Sequence, residues 1–313
     1  MIYTLTLNPA IDKTAVIPGL TPGRVNRIAS VREDVGGKGV NVSKCLQILG
    51  VQSTVCAFWA GSAGEQAQQA LRALGLPLLS VQAEGQTRTN LKIIDPDAHC
   101  NTDLNEPGPD IGPEALEQMT ERLAQAVQPG DLLILSGSVP RSVPASCYAS
   151  LIRRFSARGT RVFLDADGEP FRLGVEAGPG FIKPNREELE QYLGRELPSE
   201  GDILRACRGL QALGVGEILV SLGAEGALYV TQHEALRADG LRVCVRSTVG
   251  AGDSMVAAIA CGLARGLDAA ERLRLAVSIS AASVMCAGSE PPAMQTVREL
   301  MPRVTIRPAD GAV

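Results

Sequence analysis

Two histidines, His99 and His233, are all the imidazole this chain has, and they stand far apart. A histidine-built zinc site or a Ser-His-Asp triad is therefore a poor basis for any activity. Eight cysteines occur without a single Cys-x-x-Cys pair. Most lie in apolar runs, which suits small core residues in a reducing compartment rather than a disulfide framework. No run approaches ~18 consecutive apolar residues, so no segment is expected to span a membrane. No basic-then-apolar leader precedes the strand-like Ile2-Tyr3-Thr4-Leu5-Thr6-Leu7, and the protein is expected in the cytoplasm. The formal net charge of −4 argues against nucleic acid as a partner. An anionic small molecule would have to be met by local lysine and arginine.

What is present suits a globular α/β chain. The 313 residues are 45% hydrophobic and 20% charged, enough for one large domain or two modest ones. Short β-rich runs recur at Ile2–Leu7, Thr54–Ala57, Leu132–Ser136, Arg161–Asp165, Phe181–Lys183, Ile218–Ser221 and Ala227–Val230. Between them Ala67, Leu71 and Leu74, and Leu116, Met119, Leu123 and Val127, repeat at helical spacing. Such alternation predicts a mainly parallel sheet flanked by helices, with ligands at the carboxyl ends of its strands. Two segments, about 12–32 and 87–105, alternate apolar and polar residues without a helical period. They predict a small separate sheet, which would serve as a lid over a ligand crevice, as an arm joining two copies, or as both.

The most informative stretch is Ser247-Thr248-Val249-Gly250-Ala251-Gly252-Asp253-Ser254. It follows the β-branched run Leu241–Val245 and leads into an apolar helical segment, so it reads as a strand-to-helix turn. Gly250 and Gly252 can take backbone angles closed to other residues, letting amides gather round an anion at the helix dipole's positive end. A carboxylate there repels an anion, but makes sense if Asp253 takes a proton from a hydroxyl while the turn holds negative charge opposite. An ordinary glycine turn with a dipole-stabilising Asp is the plain alternative.

Other polar groups punctuate the chain. Gly36-Gly37-Lys38-Gly39-Val40-Asn41 opens a helix, but is not a Walker P-loop, because Gly39 replaces Ser or Thr and Arg32 replaces the first glycine. Gly37 would admit a ligand to the backbone, Lys38 supplies charge, and Asn41 can bond hydroxyls. Asp12, taken to close the first strand, could hold sugar hydroxyls or simply form a turn. Arg88 could grip a phosphate bidentately or sit on an exposed edge. Ser138 follows another strand. Asn185 and Glu188 have capping-box spacing. Ser221-Leu222-Gly223-Ala224-Glu225-Gly226 could admit a base or phosphates, or make a hairpin turn.

Taken in order, Thr6–Asp12, Gly36–Val42, Lys183–Asn185, Ser221–Gly226 and Ser247–Met255 resemble the motifs of the ribokinase-like, PfkB-type carbohydrate kinases, over nearly the whole chain. The resemblance is to the phosphosugar branch. It implies a single ribokinase-like α/β domain over 1–313 with a β-sheet lid. It also implies transfer of the γ-phosphoryl of ATP, with Mg²⁺, to a sugar-phosphate hydroxyl, fructose 1-phosphate first and tagatose 6-phosphate or fructose 6-phosphate next. Asp253 would be the base, and the amides of Gly250, Ala251, Gly252 and Asp253 would hold transition-state charge. Asp12, Gly37, Lys38, Asn41, Arg88 and Ser138 would bind the sugar phosphate. Lys183, Asn185, Ser221, Gly223, Gly226, Gly252 and Ser283 would face the nucleotide, with Asn185 and Glu188 reaching magnesium through water. Arg141 and Asp165-Ala166-Asp167 depart from the family's usual residues, the latter adding negative charge near the nucleotide edge. Two rivals remain. A dinucleotide oxidoreductase built on Gly250-x-Gly252 lacks the following strand and acidic residue that such a fingerprint needs. A non-catalytic sugar-phosphate sensor would not require Asp253 between intact glycines.

Overall fold

The computed structural model describes residues 1–286, 288 and 290–310. Its strands are β1 (Ile2–Thr6), β2 (Ala10–Val16), β3 (Ser30–Gly36), β4 (Thr54–Trp59), β5 (Leu78–Gln82), β6 (Arg88–Asp95), β7 (Cys100–Asn105), β8 (Leu132–Ser136), β9 (Arg161–Asp165), β10 (Phe181–Ile182), β11 (Glu217–Ser221), β12 (Gly226–Val230), β13 (Ala235–Asp239) and β14 (Ile306–Pro308). The helices are α1 (Lys38–Ile48), α2 (Gly61–Ala73), α3 (Pro113–Ala126), α4 (Cys147–Ser156), α5 (Gly168–Val175), α6 (Arg186–Leu193), α7 (Glu200–Ala212), α8 (Ala251–Ala264), α9 (Ala269–Val284) and α10 (Met294–Leu300). The expected extent of 1–313 includes Gly311–Val313, which lie outside the described residues.

Ten strands form one sheet in the order β14-β13-β12-β11-β10-β9-β8-β1-β4-β5. Pairing is parallel from β5 through β11, then antiparallel across β12, β13 and β14. Side chains alternate between the faces, and both faces are dry. In β8, Leu133 and Leu135 pack with Met119, Tyr148 and Phe155, whereas Leu132 and Ile134 pack with Val256, Ile259 and Leu273. Burial on both sides explains why these strands read as continuous apolar runs. Helix α8 lies within the second layer and is buried almost all round, which its Met255–Cys261 composition requires.

β1 lies between β8 and β4, so the chain winds outward from it in both directions. Such a reversal opens a crevice at the strands' carboxyl ends. Over that crevice lies a four-stranded sheet, β3-β2-β6-β7. The windows 12–32 and 87–105 contain most of its strands, although an irregular stretch, 17–29, separates β2 from β3. β2 and β6 pair in parallel, despite the length of chain between them.

Two sequence expectations need correction. Asp12 does not close the first strand. β1 ends at Thr6, Pro9 supplies no amide for a ladder, and Asp12 lies inside β2 of the small sheet. Leu241–Val245 is not a strand. Leu241 and Val243 turn inward and Arg242 and Cys244 outward, as in a strand, but among the described residues no neighbouring edge pairs with them. The chain is tied instead to the end of α9, where the amides of Arg246 and Ser247 donate to the Val284 carbonyl at 2.7 and 3.2 Å.

The β11–β12 hairpin turns through Gly226 at φ 105°, where an added Cβ would stand 2.2 Å from the Ala238 carbonyl oxygen. Gly226→Ala is therefore expected to cost about 1–3 kcal/mol of stability, measured by urea unfolding. Unchanged stability would mean that the hairpin relaxes freely.

Candidate active site

Two helices begin at the crevice. α1 follows Gly37, at φ 108°, where a Cβ would come within 2.9 Å of Thr6 Cγ2 and 3.1 Å of Pro9 Cα. α8 follows Gly250, at φ 77°. Of the two glycines expected to use unusual angles, only Gly250 does. Gly252 is helical, and its constraint is space, since a Cβ there would sit 3.0 Å from Lys183 Nζ. Neither helix has a side-chain cap at its start. The Ala251 amide donates to the Thr248 carbonyl at 3.4 Å. The other first-turn amides have no backbone acceptor among the described residues, and the two helices carry the positive ends of their dipoles into one cavity.

That cavity has a volume of about 400 Å³. Asn41 from α1 and Asp253 from α8 meet on its wall, with Asn41 Nδ2 donating to Asp253 Oδ2 at 2.8 Å. Asp165, at the carboxyl end of β9, is buried between two cations, Lys38 Nζ at 3.4 Å and Lys183 Nζ at 3.8 Å. Burial pushes Asp253 up to about 6, and the negative charge of Asp165 adds to the rise, against the Asn41 hydrogen bond and the charges of Lys38 and Lys183. Burial also pushes Asp165 upward, but Lys183 and Lys38 outweigh it and hold this carboxyl below its ordinary value. The Asp165 charge in turn lifts Lys38 well above the ordinary lysine range. Two carboxylates close together are thus driven apart, one firmly ionised and one near neutrality, as suits a general base.

The opposite wall belongs to the small sheet. Asp12 lies over Gly36, whose missing side chain gives it room, and accepts a bond from Asn90 Nδ2 at 2.9 Å. Burial raises Asp12 despite that bond and the charge of Arg88. Arg88 donates to the carbonyls of Asn8 and Glu106 at 3.1 and 3.4 Å. Asn41 Oδ1 and Asn90 Oδ1 are buried acceptors with no donor among the described residues. Hydroxyl groups of a ligand are the natural donors to them.

The cavity lining brings together Asp12, Gly37, Lys38, Asn41, Arg88, Lys183, Gly250, Gly252 and Asp253. Other expected residues lie elsewhere. Ser138 is one step removed, its Oγ reached by Asn8 Nδ2 at 3.3 Å. Ala251 opens α8. Asn185 and Glu188 form a complete capping box at α6, and Asn185 bridges to Ser221. Gly223 lies in the turn after β11 and Gly226 opens β12. Ser283 is buried in α9, its hydroxyl donating to the Ile279 carbonyl. Sequence reasoning assigned no role to Asn90 or Lys92 and saw Asp165 only as extra charge. The signals were available: Asn90 and Lys92 share the strand face of Arg88 at a spacing of two, and Asp165 ends an apolar parallel strand.

The chain matches the family profile described as pfkB family carbohydrate kinase over residues 3–296. It is 38% identical over 307 residues to the 1-phosphofructokinase of Rhodobacter capsulatus, covering 98% of this chain and 97% of the relative. The 1-phosphofructokinase of Escherichia coli K12 is 33% identical over 307 residues, with 98% of each covered. Among solved structures, phosphofructokinase-2 from Escherichia coli in complex with substrates and products is similar with a TM-score of 0.92 at 28% identity, covering 96% of this chain and 98% of that one. The same enzyme in complex with fructose-6-phosphate gives 0.89 at 27%, with 96% and 98% covered.

A carboxyl raised from 3.8 to about 6 stabilises the fold fully below pH 4, and that contribution is lost as pH rises through 6. At neutral pH the ionised Asp253 costs on the order of 3 kcal/mol. Asp253→Asn is therefore expected to gain stability relative to wild type between pH 4 and pH 8, read by urea unfolding at both. A gap between the two proteins that does not change with pH would contradict the electrostatics described.

Proposed function

This chain belongs to the pfkB family of carbohydrate kinases, and we propose that it phosphorylates fructose 1-phosphate to fructose 1,6-bisphosphate with ATP. The observation that carries the reading is the pairing of Asp253, a buried carboxyl poised near neutrality, with the uncapped amide end of its own helix in one cavity. The names of the relatives support the acceptor. A second reading, fructose 6-phosphate or tagatose 6-phosphate as acceptor, draws support from the likeness to phosphofructokinase-2.

Asp253 takes the proton of the acceptor hydroxyl. The oxygen then forms its bond to the γ-phosphorus while the bond to the β–γ bridging oxygen breaks, and ADP leaves with that electron pair. Charge on the transferring group falls on the first-turn amides of α8, Gly250 to Asp253, and on Lys183 and Lys38. Asp165 holds both lysines in place. On the acceptor side Asp12, Asn41 and the backbone at Gly37 take hydroxyls, while Arg88, with Ser138 beside it through Asn8, faces the phosphate. The small sheet acts as the lid that excludes water.

Lys183, Gly252, Ser221, Gly223, Gly226, Asn185 and Ser283 form the nucleotide side. The donor chemistry fits magnesium, which keeps much of its water shell: Glu188 Oε2 is used by the Asn185 amide, and Oε1 accepts no bond among the described residues. Asn185 and Glu188 would hold the ion through water, and the ion would neutralise phosphate charge. The reading places the protein in the cytoplasm, with its substrates. No described helix is long and apolar enough to cross a membrane. The small sheet's outward face, where Val31 and Leu104 are half exposed, would receive a second copy, and sedimentation at a monomer's mass would remove that part of the proposal.

ADP release with fructose 1-phosphate, fructose 6-phosphate and tagatose 6-phosphate tests the assignment. Fructose 1-phosphate is expected to give the highest kcat/KM. Asp253→Asn is expected to keep both KM values within a few-fold while losing ~10²-fold or more in kcat. Turnover of that variant near the wild-type rate would remove Asp253 as base, and a higher kcat/KM on another sugar would reassign the acceptor.

A further inference from the structure

The register of the small sheet sorts its inward side chains into rows. Asp34, Asp12, Asn90 and Asn105 form one row across β3, β2, β6 and β7. The next row, two residues or ~7 Å along the strands, is Arg32, Thr14, Lys92 and Asp103. Arg88 stands on the same face of β6, two residues to the other side of Asn90. Two cations, Arg88 and Lys92, therefore flank the Asp12–Asn90 pair on which hydroxyl groups would rest. Both line the cavity.

Lys92 is held loosely for a cation so well covered. Its side chain is 17% exposed, and its ion-pair partner among the described residues is Asp103, at 3.3 Å. The Asp103 side chain is 53% exposed. The two do not meet at hydrogen-bonding angles, and the Lys92 ammonium donates no hydrogen bond among the described residues. An ion pair with one half-exposed member holds weakly, and its carboxylate can return to water with little loss of solvation.

The balance of charge gives that looseness a purpose. The cavity lining carries Lys38, Arg88, Lys92 and Lys183 against Asp12, Asp103, Asp165 and Asp253. Four charges of each sign leave no surplus to attract a phosphosugar. Lys38 is committed to Asp165, and Lys183 lies against the same carboxyl. Asp12 and Asp253 each accept a side-chain amide. Of the four carboxylates, Asp103 alone is half exposed and loosely partnered, so it is the one whose departure exposes an unpaired cation inside the cavity.

We propose that Lys92 is a specificity-determining residue that recognises the phosphate already carried by the acceptor, exchanging Asp103 for that phosphate when the sugar binds. The proposal rests on the phosphosugar kinase reading given above. In the free protein Asp103 screens the site against other anions. In the complex it swings to solvent, and Lys92 reaches across the Asp12–Asn90 row to the phosphate that Arg88 also faces.

Steady-state kinetics of wild type, Lys92→Met, Lys92→Arg and Asp103→Asn provide the test, each with thermal unfolding alongside. Lys92→Met is expected to raise the KM for the phosphosugar at least ~10-fold, with a far smaller change in kcat or in the KM for ATP. Lys92→Arg should restore most of that loss, because the charge is kept. Asp103→Asn should move the KM the opposite way, lowering it about 2–5-fold by freeing the ammonium. A pair serving only to brace β6 against β7 would give Lys92→Met and Asp103→Asn the same sign in KM and similar losses in melting temperature. That result, or a Lys92→Met KM within twofold of wild type, would overturn the proposal. Wild type failing to turn over any phosphosugar would instead overturn the function on which it rests.

Discussion

Four buried or half-buried charges at the carboxyl ends of the parallel strands set the terms for everything else in this molecule. Asp165 and Asp253 are both buried, and the charges of Lys38 and Lys183 favour the ionised form of each against that burial. Taking such charges out of water is costly, and the mutual attraction of a buried pair seldom does more than offset it. They are held by a scaffold that leaves few alternatives: β9 delivers Asp165, the residue after β10 delivers Lys183, and the starts of α1 and α8 deliver Lys38 and Asp253. The dry two-layer core beneath them fixes those elements, and stability is spent to keep a carboxyl near neutrality where a hydroxyl can reach it.

The same constraint explains the division of labour between the two sheets. The large sheet supplies rigid, buried charge and two helix ends with open amides. The small sheet supplies hydrogen-bonding groups that alternate inward: Asp12, Asn90, Arg88 and Lys92 inward, with Lys13, Glu33, Leu91 and Leu104 between them in register. Asn41 on the large sheet's side and Asn90 on the small sheet both line the cavity, and each has a buried acceptor with no donor among the described residues. A ligand that satisfied both would bridge the small sheet and the large one.

Much of this was legible in the residues. The glycine-bounded start of α8, the helix opening at Lys38 and the capping box at Asn185 and Glu188 all depend on local backbone chemistry, which a sequence carries directly. The two-period windows near 12–32 and 87–105 disclosed the small sheet. What failed depended on pairing. Leu241–Val245 alternates like a strand, but no edge among the described residues receives it. A linear reading makes Asp12 both the close of the first strand and the start of the 12–32 window of the small sheet. Only the second holds, because Pro9 marks a crossing between sheets that such a reading takes as a turn. Asn90 and Lys92 gain meaning only through the parallel register of β2 with β6, which joins residues 78 apart, as in Asn90 to Asp12. Asp165 looked like surplus charge until two lysines from other elements closed on it.

The central claim is that burial and Asp165 together hold the Asp253 carboxyl near neutrality in the free protein. Carbon-13 NMR titration of the aspartate side chains, with Asp253 assigned by its loss in Asp253→Asn, measures this directly. A midpoint of about 6 is expected, moving to lower pH in Asp165→Asn. A midpoint near the ordinary 3.8, unmoved by removing the Asp165 charge, would contradict the account.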